Sequence, residues 1–176
     1  RLGTGLAFRD LDGDDDPDIL FVRSGAPVFL RNTNGRFEAF AASGLPHEGH
    51  FVGVVVGDVD NDLDGDVYLT GAGPNALYLN DGSGHFTLSD DETVRGDSVS
   101  VSATFADIDH DGDLDLYVAN YLSRQAPENV DVLILPDGLP GAPNRMYQNN
   151  GDGLFTEISS ETGTDGGARR SLGAVF

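Results

Sequence analysis

The sequence predicts an all-β chain, a β-propeller of four-stranded antiparallel blades, and three observations carry that prediction. Nine-residue acidic stretches recur from Asp10, Asp58 and Asp107, spaced by 48 and 49 residues. Each is preceded by a glycine-bearing apolar segment and followed by a short β-rich run. Helical periodicity is absent throughout, and a repeat of about 40–50 residues made of short strands is what propeller blades show.

The elements follow one order in every repeat. The first strand is expected within Leu2 to Phe8, Phe51 to Val56 and Val99 to Phe105. The acidic loop comes next, and then a continuous apolar run: Ile19 to Val22, Val67 to Leu69 and Leu116 to Val118. Such runs fit strands covered on both faces, as between stacked blades. A third strand is expected at Val28 to Leu30, Leu77 to Leu79 and Met146 to Gln148. Turns rich in Asn, Asp and Gly follow it, at Asn32 to Gly35, Asn80 to Gly84 and Asn149 to Gly153. These residues tolerate the positive φ of tight hairpins. The fourth strand, Phe37 to Phe40, Phe86 to Leu88 and Phe155 to Ile158, alternates as an outer strand does.

The repeats then run approximately over 1–48, 49–97 and 98–165, with a fourth beginning at 166–176. Ser171 to Phe176 resembles the segment before each loop, with Phe176 standing where Phe8 and Phe105 stand. The expectation is one partial propeller over 1–176, about three blades plus the first strand of a fourth. Closing a ring takes at least about four blades. The remaining blades of a longer chain, or a second copy, are therefore expected to complete it. The third repeat carries an insertion, 121–143, with Pro127, Pro136, Pro140 and Pro143; loops of that length are often functional.

Charge is concentrated in the loops. The formal net charge is -20, and 16 of the 30 acids lie in the three acidic stretches. Outside them 14 acids face ten basic residues, all arginine, so the surface is not uniformly acidic. Nucleic acid is a poor partner for such a chain. Cysteine is absent, which excludes disulfides and thiolate metal sites. No run of 18 apolar residues suggests a membrane span. The sequence begins at Arg1, and no signal peptide is recognisable in it.

Loop one (10–18), loop two (58–66) and loop three (107–115) place acids at their first, third, fifth, seventh and ninth positions. That crowding calls for a hard cation with six to eight oxygen ligands, and calcium is the natural choice. Side-chain ligands are expected from Asp10, Asp12, Asp14 and Asp18, from Asp58, Asp60, Asp62 and Asp66, and from Asp107, Asp109, Asp111 and Asp115. Asp16, Asp64 and Asp113 would offer their backbone carbonyls. Up to three Ca²⁺ would bring the charge from -20 to -14. An EF-hand needs an acid at its twelfth position and flanking helices. Here Phe21, Leu69 and Val118 occupy that position, inside apolar strands. The sixth position prefers glycine, which Gly112 satisfies and Asp15 approaches. Leu63 is poorly suited, and the glycine of loop two looks displaced to Gly65, so loop two is expected to bind most weakly.

Catalytic motifs are scarce. His47-Glu-Gly-His50 lacks the spacing of a helical zinc motif and lies beside Pro46. His110 sits within loop three and His85 at a hairpin turn. No nucleophile elbow or phosphate-cradling loop appears. Arg169-Arg170 reads as an ordinary solvated pair.

The run from Phe105 to Asn120, followed by Asn144-Arg-Met-Tyr-Gln-Asn-Asn-Gly-Asp-Gly-Leu-Phe155, resembles the FG-GAP/VCBS repeat of integrin-α-type propellers. Asn120-Tyr-Leu122, Gly141-Ala-Pro-Asn144 and Ser171 to Phe176 are similar to the cartilage acidic protein (ASPIC/UnbV) branch. The resemblance implies a secreted or cell-surface protein with a seven-bladed propeller whose calcium loops are structural. Loops one and two depart from the family's glycine. The function expected is a non-catalytic calcium-binding module for extracellular recognition of protein or glycan, in an extracellular, periplasmic or cell-surface setting. The alternatives are a purely architectural calcium-stabilised domain and a hydrolase or lyase with a loop-built site.

Overall fold

The computed structural model describes residues 5–123 and 140–175. Twelve strands form among them: β1 (Leu6–Arg9), β2 (Asp18–Arg23), β3 (Ala26–Thr33), β4 (Arg36–Ala39), β5 (Phe51–Gly57), β6 (Asp66–Gly71), β7 (Ala76–Asn80), β8 (Phe86–Leu88), β9 (Ser98–Ala106), β10 (Asp115–Ser123), β11 (Arg145–Asn149) and β12 (Phe155–Glu157). They make three separate four-stranded antiparallel sheets, each joined in simple chain order. The chain is all-β, three consecutive blades of a partial β-propeller. Residues 124–139 of the proline-rich insertion, the start of the expected first strand and Phe176 lie outside the described residues.

Two apolar layers hold the blades together. Leu20, Val22 and Phe29 of the first blade pack with Val67, Leu69, Tyr78 and Phe86 of the second. Tyr68 and Leu77 of the second pack with Leu116, Val118, Tyr147 and Phe155 of the third. Alternate residues of β6 thus point into opposite layers, because successive strand side chains leave opposite faces. Each fully buried Val or Leu here stabilises the fold by about 1.5–3 kcal/mol.

Double covering holds for β6, which is buried along its whole length. It does not hold for β2, where Asp18, Leu20 and Val22 are buried but Ile19 and Phe21 are only half-buried. The middle blade has neighbours on both faces, and the first has one among the described residues. The open face of the first blade accordingly exposes Leu6 and Phe8. Residues 171–175 run beside β9, where Ser102 Oγ and the backbone of Ala174 lie 3.2–3.3 Å apart, but they form no strand.

Among the described residues, two single helical turns depart from the purely extended reading. One spans Thr93–Arg95 and the other Ser159–Thr162. Both are too short to leave a periodic signal. They serve as plugs: Val94 is buried and its carbonyl accepts a 2.6 Å bond from Tyr68 Oη, and Ser159 Oγ accepts the Met146 N–H at 2.8 Å.

Candidate metal centres

Each acidic loop closes the hairpin between the first two strands of its blade. The register pairs Arg9 with Asp18, Gly57 with Asp66 and Ala106 with Asp115, so the ninth aspartate is also the first residue of the second strand. That placement buries it: Asp18, Asp66 and Asp115 are 0–2% exposed. A buried carboxylate needs partners, and each has the same two. One oxygen accepts the N–H of the loop's second residue, Leu11, Val59 or Ile108, at 2.8–2.9 Å. The other accepts the N–H of Asn32, Asn80 or Asn149 at 2.8–2.9 Å. Burial nevertheless pushes all three carboxyls up, Asp66 to about 7, against the pull of those donors.

The three asparagines tie the loops to the blades. The side-chain amide of Asn80 donates to Gly65 O in its own loop and to Leu11 O in the loop of the preceding blade. Asn149 repeats this with Leu114 O and Val59 O. Asn32 donates to Pro17 O. The sequence reading gave these residues only to a hairpin turn. Their signal was present, since an asparagine stands at or next to the end of the third strand in every repeat.

The rest of each loop folds around its first aspartate. Asp10 accepts the N–H groups of Gly13 and Asp15, Asp58 that of Leu63, and Asp107 those of His110 and Gly112. The fourth and sixth residues take left-handed backbone: Gly13, Asn61 and His110 at the fourth (φ 63–75), Asp15, Leu63 and Gly112 at the sixth (φ 67–100). The demand at the fourth position escaped the sequence reading, although Gly, Asn and His are types that tolerate it. Loop two keeps its left-handed residue at Leu63, so Gly65 is not a displaced turn glycine. Gly65 is there for space: a Cβ would come within 3.0 Å of Val56 and 3.1 Å of Arg9.

Three carboxylates converge in each loop, with one oxygen from each within 4.8 Å of the others. They are Asp10, Asp12 and Asp18 in loop one, Asp58, Asp60 and Asp62 in loop two, and Asp107, Asp109 and Asp115 in loop three. Asp14, Asp62 and Asp111 each cap the backbone two residues on at 2.9 Å. The seventh-position side chains lean towards neighbouring turns. Asp16 accepts the Asn34 N–H, Asp113 accepts the Asn61 side-chain amide, and Asp64 lies against Gly82.

The donor set fits a hard cation. Each converging group is made of carboxylates alone, which suits calcium or magnesium over softer metals. Asp12 Oδ1, Asp58 Oδ1 and Asp60 Oδ1 are buried without a hydrogen-bond partner. An orphaned buried carboxylate oxygen is costly, and a bound cation removes that cost. Burial, followed by neighbouring acids, raises the Asp12 and Asp60 carboxyls. The next blade seals the third-position acid, with Gly84 lying 3.3 Å from Asp12 and Gly153 3.4 Å from Asp60, measured to the position of a Cβ.

The histidines build nothing comparable. His47, His50, His85 and His110 are exposed. Asp81, Ser83 and His85 meet in one turn, but Ser83 Oγ donates to Asp81 at 2.6 Å and lies 2.9 Å from His85 Nδ1. The serine stands between acid and imidazole, whereas a catalytic triad needs the imidazole in the middle. Arg170 lies over the Tyr121 ring at 6.0 Å, so it is not a simple solvated charge.

Blades closed by acidic hairpin loops define a repeat propeller. The family model described as the FG-GAP-like repeat matches residues 10–69 and 59–118, more than half of the chain. The protein therefore belongs to the FG-GAP-like repeat family. Each matched unit opens at or beside an acidic loop and ends in the second strand of the next blade. No curated protein matches the chain.

Proposed function

We propose that this propeller module is stabilised by calcium in its acidic loops and serves extracellular recognition of a protein or glycan without catalysis. The observation that carries the metal part is the set of orphaned carboxylate oxygens on Asp12, Asp58 and Asp60, each a member of a converging group made of carboxylates. When bound, the cation supplies charge neutralisation and coordination at the hairpin. The protein's own residues do the rest: the first aspartate shapes the loop, and the ninth locks it to the strand. Extracellular modules bind calcium with Kd of about 10⁻⁴–10⁻³ M, which suits an exterior, periplasmic or cell-surface setting.

Repeats over 1–48, 49–97 and 98–165 and the 166–176 segment then act as one partial propeller, completed by further blades or a second copy. The motifs at Asn120-Tyr-Leu122 and Gly141-Ala-Pro-Asn144 support placement in the ASPIC/UnbV branch. The insertion 121–143 is the sequence segment we assign to recognition.

Thermal melting with calcium, with magnesium and in chelator, beside calorimetric counting of sites, tests the metal reading. Two or three sites and a calcium-selective rise in Tm are expected. At calcium near 100 Kd each site adds about 2.7 kcal/mol. An unchanged Tm with no heat of binding rejects the reading.

A further inference from the structure

Loops one and two share backbone, burial and a sealing glycine from the next blade, yet their third-position acids meet different neighbours. The difference comes from the residue just before each joint asparagine, near the end of the third strand. In the first blade it is Arg31, whose Nε lies 3.1 Å from Asp12 Oδ2. That guanidinium is held in place from two further sides. Its Nη2 donates to Ser83 O of the next blade, and its carbon lies 3.5 Å above the Phe40 ring. In the second blade the equivalent residue is Leu79, which packs against the apolar layer and offers no donor. There both Asp58 Oδ1 and Asp60 Oδ1 are orphaned, against Asp12 Oδ1 alone in loop one. In the third blade Gln148 Nε2 donates to Asp109 Oδ2 at 2.6 Å, a neutral version of the Arg31 contact.

We propose that the side chain preceding each joint asparagine tunes the cation affinity of its loop, with Arg31 acting as a tethered counter-ion that weakens loop one relative to loop two. This rests on the metal reading above. A fixed cation 3.1 Å from a ligand carboxylate oxygen opposes a second cation there by charge and crowds its approach. Leu79 imposes neither penalty, so loop two is the tighter of the pair. The ranking reverses the one expected from Leu63. The left-handed turn at Leu63 is held by the protein's own bond from its N–H to Asp58 Oδ2 at 3.0 Å, so its strain falls on folding and not on binding.

The test is a calcium titration of the whole chain by calorimetry, with amide NMR shifts of Gly13, Asn61 and Gly112 assigning each step to its loop. Arg31→Leu should tighten loop one by roughly threefold to fivefold, the scale of a partly exposed ion pair. Leu79→Arg should weaken loop two by a similar factor. Arg31→Gln, which copies the third blade and keeps a polar group beside Asp12, guards against a folding failure of Arg31→Leu and should give an intermediate gain. Arg36→Leu removes an exposed arginine paired with Glu38 and should change no loop selectively. Calcium binding at the loops with loop-one affinity unmoved by both Arg31 variants overturns the tuning and leaves the metal reading intact. Equal gains at every loop, or gains matched by Arg36→Leu, reduce the effect to net charge and also overturn it. No binding at any loop of the unaltered protein overturns both.

Discussion

The two ends of each acidic loop carry the same residue type and do different work. At the back, Asp18, Asp66 and Asp115 are buried and satisfied by two backbone N–H groups each, beside an asparagine that reaches across to the preceding blade or its own loop. At the front, Asp12, Asp58 and Asp60 keep buried oxygens with no partner. The back is finished by the protein itself. The front is not, and that is where the proposed cation would contribute. Identical aspartates at regular spacing therefore carry different loads: the ninth is fixed by backbone donors, and in loops one and three Asp18 and Asp115 still bring an oxygen to the converging group.

The largest expected effect sharpens this division through pH. Burial raises Asp66 to about 7, and Asp12, Asp18, Asp60, Asp64 and Asp115 shift in the same direction. A carboxyl whose folded pKa lies above its unfolded value adds stability that is complete below the unfolded value, and that stability is lost as pH rises through the folded one. In metal-free buffer the Tm should therefore fall between about pH 4 and pH 7, by an amount worth a few kcal/mol. Asp81 and Glu157, held low by hydrogen bonds, oppose this only weakly because both are exposed. Saturating calcium should flatten or invert the profile, since a cation holds the front acids ionised. Melting curves across that range decide it; a metal-free Tm that climbs with pH would break the account of the back acids.

A smaller effect separates back from front by mutation. Asn80→Ala strips the donors from Leu11 O and Gly65 O, both in buried surroundings, and should cost about 2–3 kcal/mol. Asn32→Ala also removes two bonds, the one its amide donates to Pro17 O and the one its Oδ1 accepts from the Gly35 N–H, and should cost about as much. Both losses should be the same with calcium and in chelator, as denaturant unfolding can measure. A loss by Asn80→Ala that appears only with calcium would place the joint in the metal site.

Much of this was legible in the sequence. The repeat, the four strands per blade and the acidic loops can be read from spacing and apolar runs, because each is set locally. Leu63 was legible as a misfit at the sixth position, but the turn expected to shift to Gly65 stays at Leu63. What stayed hidden depends on the neighbouring blade. Nothing in the chain near Asn80 announces that its amide meets Leu11, 69 residues away. Arg31 reads as one more surface arginine until the third strand and the next blade's turn bring it to Asp12. The helical plugs at Thr93–Arg95 and Ser159–Thr162 were missed because one turn has no period.

The smallest effect concerns the front turn itself. Leu63 holds φ 78 and is 85% exposed, so it is strained and packs little. Leu63→Gly removes a left-handed penalty of about 1–2 kcal/mol, offset in part by the greater unfolded freedom of glycine, about 0.5–1 kcal/mol. The net gain should be about 1 kcal/mol, a rise of about 2–4 °C in Tm for a chain of this size. It should appear equally in chelator, with loop-two calcium affinity unchanged, because the turn is already fixed by Asp58. Exchanging Gly65 for leucine at the same time would hide the gain, since that Cβ meets Val56 and Arg9. Should Leu63→Gly instead raise affinity and leave the metal-free Tm alone, the turn would be formed by the cation, and front and back would no longer be separable.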